Sequence, residues 1–167
     1  MNTPTNTRAA ERVADLTFQL LVHCQIKESN MAADFDMSPS ELRALRLFHG
    51  CSHLLQKEIV DRVGLSGSRL TRIIDRFQEE GWVTRGEDPD DRRGAVVFLT
   101  PAGHDLLEEI EKLSVAIHIE ILQAIPQDLH AGLVSSLELM LNSLRGWLKR
   151  QPGRGHLREV ISEGQGT

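Results

Sequence analysis

Three arginines, Arg69, Arg72 and Arg76, stand three and four residues apart in the stretch SGSRLTRIIDR, residues 66–76. On a helix that spacing gathers them along one side. Ser66, Ser68 and Thr71 occupy the start and the outward side of the same segment. Arginine makes paired hydrogen bonds to guanine in a DNA major groove, and serine or threonine hydroxyls reach bases or phosphates. A helix N-terminus also favours a phosphate. The only acid in the stretch is Asp75, so its local charge is +2. Such residues suit recognition of a polyanion. The bland alternative is an ordinary helical hairpin with a solvated basic face.

A second basic pair, Arg92 and Arg93, lies in the turn-rich segment GEDPDDRRG between two β-type runs, Trp82–Arg85 and Ala95–Leu99. An arginine on a projecting loop can enter an A·T-rich minor groove, where the negative potential is strongest. Glu87, Asp88, Asp90 and Asp91 surround the pair, and at least one of them is expected to hold the loop in shape. Other chemistry is poorly supported. His49, Cys51 and His53 are metal-ligand types, but three ligands packed so tightly rarely reach one ion, so no metal is expected. Cys24 beside His23 is a candidate redox switch, set against the reading of a small buried hydrophobe. There is no GxSxG, HExxH, Walker loop or dinucleotide fingerprint. The chain is therefore read as a non-enzyme without a cofactor.

Helices must position these groups. Apolar residues at helical spacing predict a first helix from Arg8 to about Glu28 (Val13, Leu16, Leu20, Cys24). Ser38-Pro39-Ser40-Glu41 predicts a capped start for a second helix, running to about Phe48 and closed by Gly50. A third runs from Leu55 to Val63. A fourth opens at Ser66 and ends near Glu80. Only Gly64-Leu65-Ser66 separates these two, with Ile59, Val63, Leu65, Leu70 and Ile73 placed to fill the space between them. That is the helix-turn-helix pattern, with the second helix in the major groove. A two-stranded hairpin follows. Thr100-Pro101 then restarts a helix of about 25 residues, roughly 37 Å, with a stripe at Leu106, Ile110, Leu113, Ile117, Ile121 and Ala124. Pro126 breaks it. A last stripe runs through Leu129, Leu133, Leu137, Met140, Leu144 and Trp147, and residues 151–167 read as a loose tail with one helical turn at Leu157–Ser162.

At this point the chain resembles the MarR (multiple antibiotic resistance regulator) family of winged helix-turn-helix transcription regulators. The matching elements are Gly81-Trp82-Val83, Arg85, Asp88-Pro89-x-Asp91-Arg92-Arg93, Leu99-Thr100 and Gly103, with LSGSRLTRIIDRFQEEG upstream. The motifs cover roughly residues 38–110, and helix order extends the likeness to 8–150. Val60 stands where a small residue is usual. The resemblance implies a mainly α winged helix-turn-helix with a two-stranded β wing. It implies a homodimer joined through the first and last two helices, a palindromic double-stranded DNA operator, and a small-molecule effector bound between interface and DNA-binding lobe. By position, Ser66, Ser68, Thr71 and Arg72 would face bases or phosphates. Arg92 or Arg93 would enter the minor groove, with Asp91 as its structural partner. A peroxide-sensing branch uses a cysteine near Cys24, activated by tyrosines, and this chain has no tyrosine.

The expected division is residues 1–37 and 101–150 for dimerisation, 38–100 for DNA binding and 151–167 as tail. The long apolar stripes independently call for a partner, and twofold pairing is the commonest solution. No apolar run approaches the ~20 residues that span a bilayer, the N-terminus has no signal-like core, and two cysteines build no disulfide framework. A cytoplasmic protein is expected. Against DNA binding stands the net charge of −5 in 167 residues. Residues 56–100 hold eight Lys/Arg and nine Asp/Glu. Binding thus requires arginines facing DNA and acids facing away, with modest, salt-sensitive non-specific affinity. A winged-helix module for protein–protein contact would suit the acidity, but it gives no reason for arginines at both the helix and the loop.

Overall fold

The structure, a computed structural model, describes residues 4–87 and 95–150. The wing tip (Asp91, Arg92, Arg93) and the tail (with its expected turn at Leu157–Ser162) lie outside the described residues. Two compact units, Met1–Ala116 and Ile117–Thr167, make up the chain.

The first unit opens with α1 (Pro4–Asp34), longer at both ends than the sequence predicts. Proline is tolerated in a first helical turn. At the far end Met31 and Ala32 are 2% and 0% exposed, so packing carries the helix past its apolar stripe. From residue 7 to 26 every side chain is exposed, including Leu16, Phe18, Leu20 and Leu21. Asp36 then takes φ +52°, a left-handed conformation that aspartate adopts more readily than most residues.

The cap of α2 (Pro39–Arg46) is the expected one. Glu41 N–H donates to Ser38 Oγ at 3.3 Å, and Ser38 N–H donates to the Glu41 carboxylate at 2.6 Å. The helix ends at Arg46 rather than Phe48. Phe48, 1% exposed, sits in the following turn, which Gly50 closes. Two arginines anchor α2, Arg43 with two nitrogens on one carboxylate oxygen and Arg46 with one on each. Arg43 donates to Glu28 of α1, with Nε at 2.7 Å. Arg46 donates to Glu111 at 2.9 and 3.4 Å.

A correction concerns the sheet. The sequence predicts two strands, but β1 (His53–Leu55) adds a third, in the order β1-β3-β2 with β2 (Val83–Glu87) and β3 (Ala95–Leu99), all antiparallel. Leu54 pairs with Val97 and is 6% exposed. Three residues are too few to show an alternating pattern. Leu55 also lies directly before α3 (Gln56–Val63), so the run reads as the start of a helix. The Leu55 N–H donates to the Glu58 carboxylate at 3.1 Å, an N-terminal satisfaction of that helix. Leu42, Leu45, Ile59, Ile74, Phe77, Val97 and Ile110 have no exposed surface and form the core of this unit.

Thr100 starts α5 (Pro101–Gln123) as expected. Its hydroxyl accepts from Gly103 N–H at 3.1 Å and donates to the carbonyls of Gly81 and Trp82 at 2.6 and 3.1 Å. A Cβ at Gly103 would lie 2.0 Å from the Trp82 carbonyl oxygen, so only glycine permits this approach. The buried face of this helix is Gly103, Leu107, Ile110 and Ser114 rather than the predicted stripe. Of that stripe only Ile110 is buried; Leu106, Leu113 and Ile117 are half-buried, Ile121 is exposed, and Ala124, also exposed, lies just past the helix end.

In the second unit Pro126 breaks the chain as expected. A short 3-10 turn, Gln127–Leu129, leads into α6 (His130–Lys149). His130 Nε2 donates to the carbonyls of Leu122 and Ile125 at 3.1 and 2.9 Å, satisfying acceptors left open where α5 ends. No residue of α6 is buried, and Leu137, Leu139, Met140, Leu144 and Leu148 are exposed.

Candidate nucleic-acid interface

The helix-turn-helix consists of α3, the turn Gly64-Leu65-Ser66, and α4 (Gly67–Glu79). Gly64 has φ +72°, which lets the chain turn within three residues. Ile59, Leu70 and Ile73 are buried between the helices, while Val60, Val63 and Leu65 are half-buried. The inner stripe of α4, Leu70, Ile73, Ile74 and Phe77, is buried, which fixes the opposite side toward solvent.

Ser66 caps α4, its Oγ accepting from Arg69 N–H at 3.4 Å and lying 3.2 Å from Ser68 Oγ. Thr71 Oγ1 donates its one proton to the Gly67 carbonyl at 3.0 Å, so toward any other group the hydroxyl can only accept. Ser66, Ser68, Arg69, Thr71 and Arg72 are all exposed. Arg69 and Arg72 have no ion pair among the described residues. Two unpartnered guanidinium groups on one exposed helix face are therefore available to an outside anion.

Arg76 differs from its two neighbours. Its Nη1 donates to Glu41 at 2.9 Å and its Nη2 to the Asp36 carbonyl at 2.6 Å, so it is committed to the α1–α2 corner. Burial alone would push the Glu41 carboxyl up. The hydrogen bonds from Ser38, then the bond and charge of Arg76, outweigh it and hold the group below its ordinary value. Sequence reasoning also missed Arg85 as a working residue. Its Nη2 lies 2.6 Å from Asp75 and 3.4 Å from the Thr71 carbonyl, on two turns of α4. The ten-residue separation from Asp75 leaves no periodic signal, and only the family motif marks the position.

The β2–β3 hairpin projects directly after α4, with Glu87 paired to Ala95 at its last described rung. Gly86 lies beneath the Phe98 ring, where a Cβ would come within 2.8 Å of it. His53 packs against the same ring at 5.5 Å. Among the described residues no three His, Cys, Asp or Glu side chains gather to hold a metal. Cys51 Sγ donates to the Leu47 carbonyl at 3.6 Å, and Cys24 is exposed. His23, beside Cys24, donates from Nδ1 to its own helix at the Gln19 carbonyl, 2.7 Å away. An open cleft of about 540 Å³ lies between the Phe48–Ser52 turn and α5, lined by Cys51, His104, Leu107 and Glu111 among others. Among the described residues no helix is long and apolar enough to cross a membrane.

A family model described as MarR family matches residues 35–94. The multiple antibiotic resistance protein MarR of Escherichia coli is 26% identical over 129 residues, covering 74% of this chain and 88% of that protein. A MarR transcriptional regulator from Methanosarcina mazei superposes with a TM-score of 0.67 at 22% identity, over 81% of this chain and 98% of the other. A crystal structure of a mutant E. coli MarR complexed with operator DNA gives a TM-score of 0.61 at 22% identity, over 80% and 93% of the two chains. These structural likenesses establish the winged-helix fold.

Proposed function

We propose that the chain is a DNA-binding transcription regulator of the MarR family, which its family-model match and its likeness to E. coli MarR support, and that it works as a homodimeric, cytoplasmic repressor of a palindromic operator, released by a small-molecule effector. The observation that carries this reading is the outward face of α4: Arg69 and Arg72, unpartnered among the described residues, beside Ser66, Ser68 and Thr71. Arg69 and Arg72 would read bases or grip phosphates in the major groove. Arg92 and Arg93, assigned on sequence grounds, would take the adjacent minor groove, with Asp91 shaping their loop.

Support for a second copy comes from each unit by itself. α1 leaves Leu16, Phe18, Leu20 and Leu21 exposed, and α6 leaves Leu137, Leu139, Met140, Leu144 and Leu148 exposed, apolar surface of the kind that marks an interaction site. Two subunits would set their recognition helices about one DNA turn apart, roughly 34 Å. Only a site with matching half-sites accepts both. For the effector, the cleft beside Glu111 is the favoured location. A ligand there would bear on the Arg46–Glu111 tie between α2 and α5 and so on the placement of α4.

Selection of bound duplexes from a random pool tests the proposal. A palindromic consensus is the expected outcome. Recovery of unrelated sequences, each bound no better than the starting pool, would rule out sequence-specific recognition.

A further inference from the structure

Asp75 poses an electrostatic problem. It lies four residues after Thr71 and three after Arg72, so helical geometry sets it beside the side chains assigned to the duplex. Its side chain is 48% exposed. An unpaired carboxylate there would repel phosphates and weaken every complex that α4 makes.

Arg85 answers it from another element. On β2, opposite Val97 of β3, its guanidinium sits 2.6 Å from the Asp75 carboxylate and reaches the Thr71 carbonyl at 3.4 Å. One nitrogen, Nη2, makes both contacts across one turn of the recognition helix, and the two elements it joins are those that would enter adjacent grooves. A pair this exposed contributes little to folding. Its consequence is local: it cancels the acid and fixes the offset between α4 and β2.

We propose that Arg85 is a positioning residue for DNA recognition, which neutralises Asp75 at the reading face and clamps strand β2 to the recognition helix. The inference rests on the reading that α4 faces the duplex. It goes beyond that reading by assigning sequence discrimination to a residue that need not touch a base. Discrimination means the ratio of affinities for the correct and a scrambled site. With Asp75 unpaired or Arg85 removed, α4 and β2 meet the DNA at a looser offset, which harms the correct site most.

The test uses the full chain and two duplexes of equal length and composition, the selected consensus and a scrambled version. Affinities are measured across a salt series for wild type, Asp75→Asn, Arg85→Gln, Arg85→Lys and the Asp75→Asn/Arg85→Gln double variant, with the thermal midpoint recorded for each. Asp75→Asn removes an acid and frees a guanidinium, so affinity for the scrambled duplex should rise while discrimination falls by about threefold or more. Arg85→Gln should weaken both complexes and lower discrimination. Arg85→Lys keeps the charge, but its amine ends one bond short of the Nη2 that makes both contacts, so it should hold scrambled-site affinity and still lose discrimination. The double variant should lose no more discrimination than the worse single. Thermal midpoints near wild type make these effects recognition rather than folding. Asp75→Asn and Arg85→Lys proteins that discriminate as well as a selective wild type would overturn the inference alone. A wild type with no preference between the duplexes would overturn the DNA-reading assignment beneath it as well.

Discussion

Arg76 of α4 donates to the buried carboxylate of Glu41 at 2.9 Å, and so ties that helix to the corner where α1 meets α2. The same guanidinium holds the Asp36 carbonyl at 2.6 Å. Spacing groups Arg76 with Arg69 and Arg72, yet this residue holds the scaffold while the other two face outward. Arg76→Ala is expected to lower stability by about 2–3 kcal/mol, because it strands a buried acid. Chemical denaturation checks this. Arg72→Ala, with no partner to strand among the described residues, should leave the unfolding free energy within about 0.5 kcal/mol of wild type.

The Glu41 carboxyl is held below its ordinary value of 4.5 in the folded chain. A group depressed on folding stabilises the fold fully above its unfolded value, and that stability is lost as the pH falls through the folded value. Urea unfolding of wild type and Glu41→Gln should therefore differ most at neutral pH and converge as the solution is acidified well below 4.5. Parallel curves across the acid range would contradict the assignment.

Gly103→Ala should destabilise by roughly 2–3 kcal/mol or more, because the added methyl meets backbone rather than a flexible side chain. The Trp82 carbonyl lies 2.0 Å from where that methyl would sit. Denaturant titration measures it, and a neutral result would mean that α5 does not approach so closely.

Leu16→Glu and Leu20→Glu place charges on a part of α1 that is exposed in the single chain. They should cost little stability in the chain itself but break the proposed homodimer. Sedimentation should then show a species near the chain mass of 18.7 kDa, with operator affinity reduced at least tenfold, since one half-site alone remains bound. A dimer that survives both substitutions would move the interface away from α1.

Much of this organisation was legible in the sequence because it rests on local chemistry. Ser38 with Glu41, Ser66, Thr100-Pro101 and Gly64 are cap and turn signals that act within a few residues, and each does what its type predicts. Long-range contacts are where the reading ran short. β1 exists because Leu54 meets Val97, a partner distant in sequence. The buried face of α5 runs through Leu107 and Ile110 from the point where Gly103 meets the Trp82 carbonyl, a contact that the spacing of leucines and isoleucines does not signal. Arg76 and Arg85 share with Arg72 the residue type that suggests DNA, and only their distances to Glu41 and Asp75 show what they hold.

The central claim is that the outward arginines of α4 read a specific duplex. The direct measurement is a binding titration of the selected operator with wild type and the Arg69→Ala/Arg72→Ala variant, under equal salt and with folding checked. A loss of about tenfold or more for the selected operator, with the thermal midpoint unchanged, is the predicted result. Equal affinity of the two proteins for that operator would contradict the account.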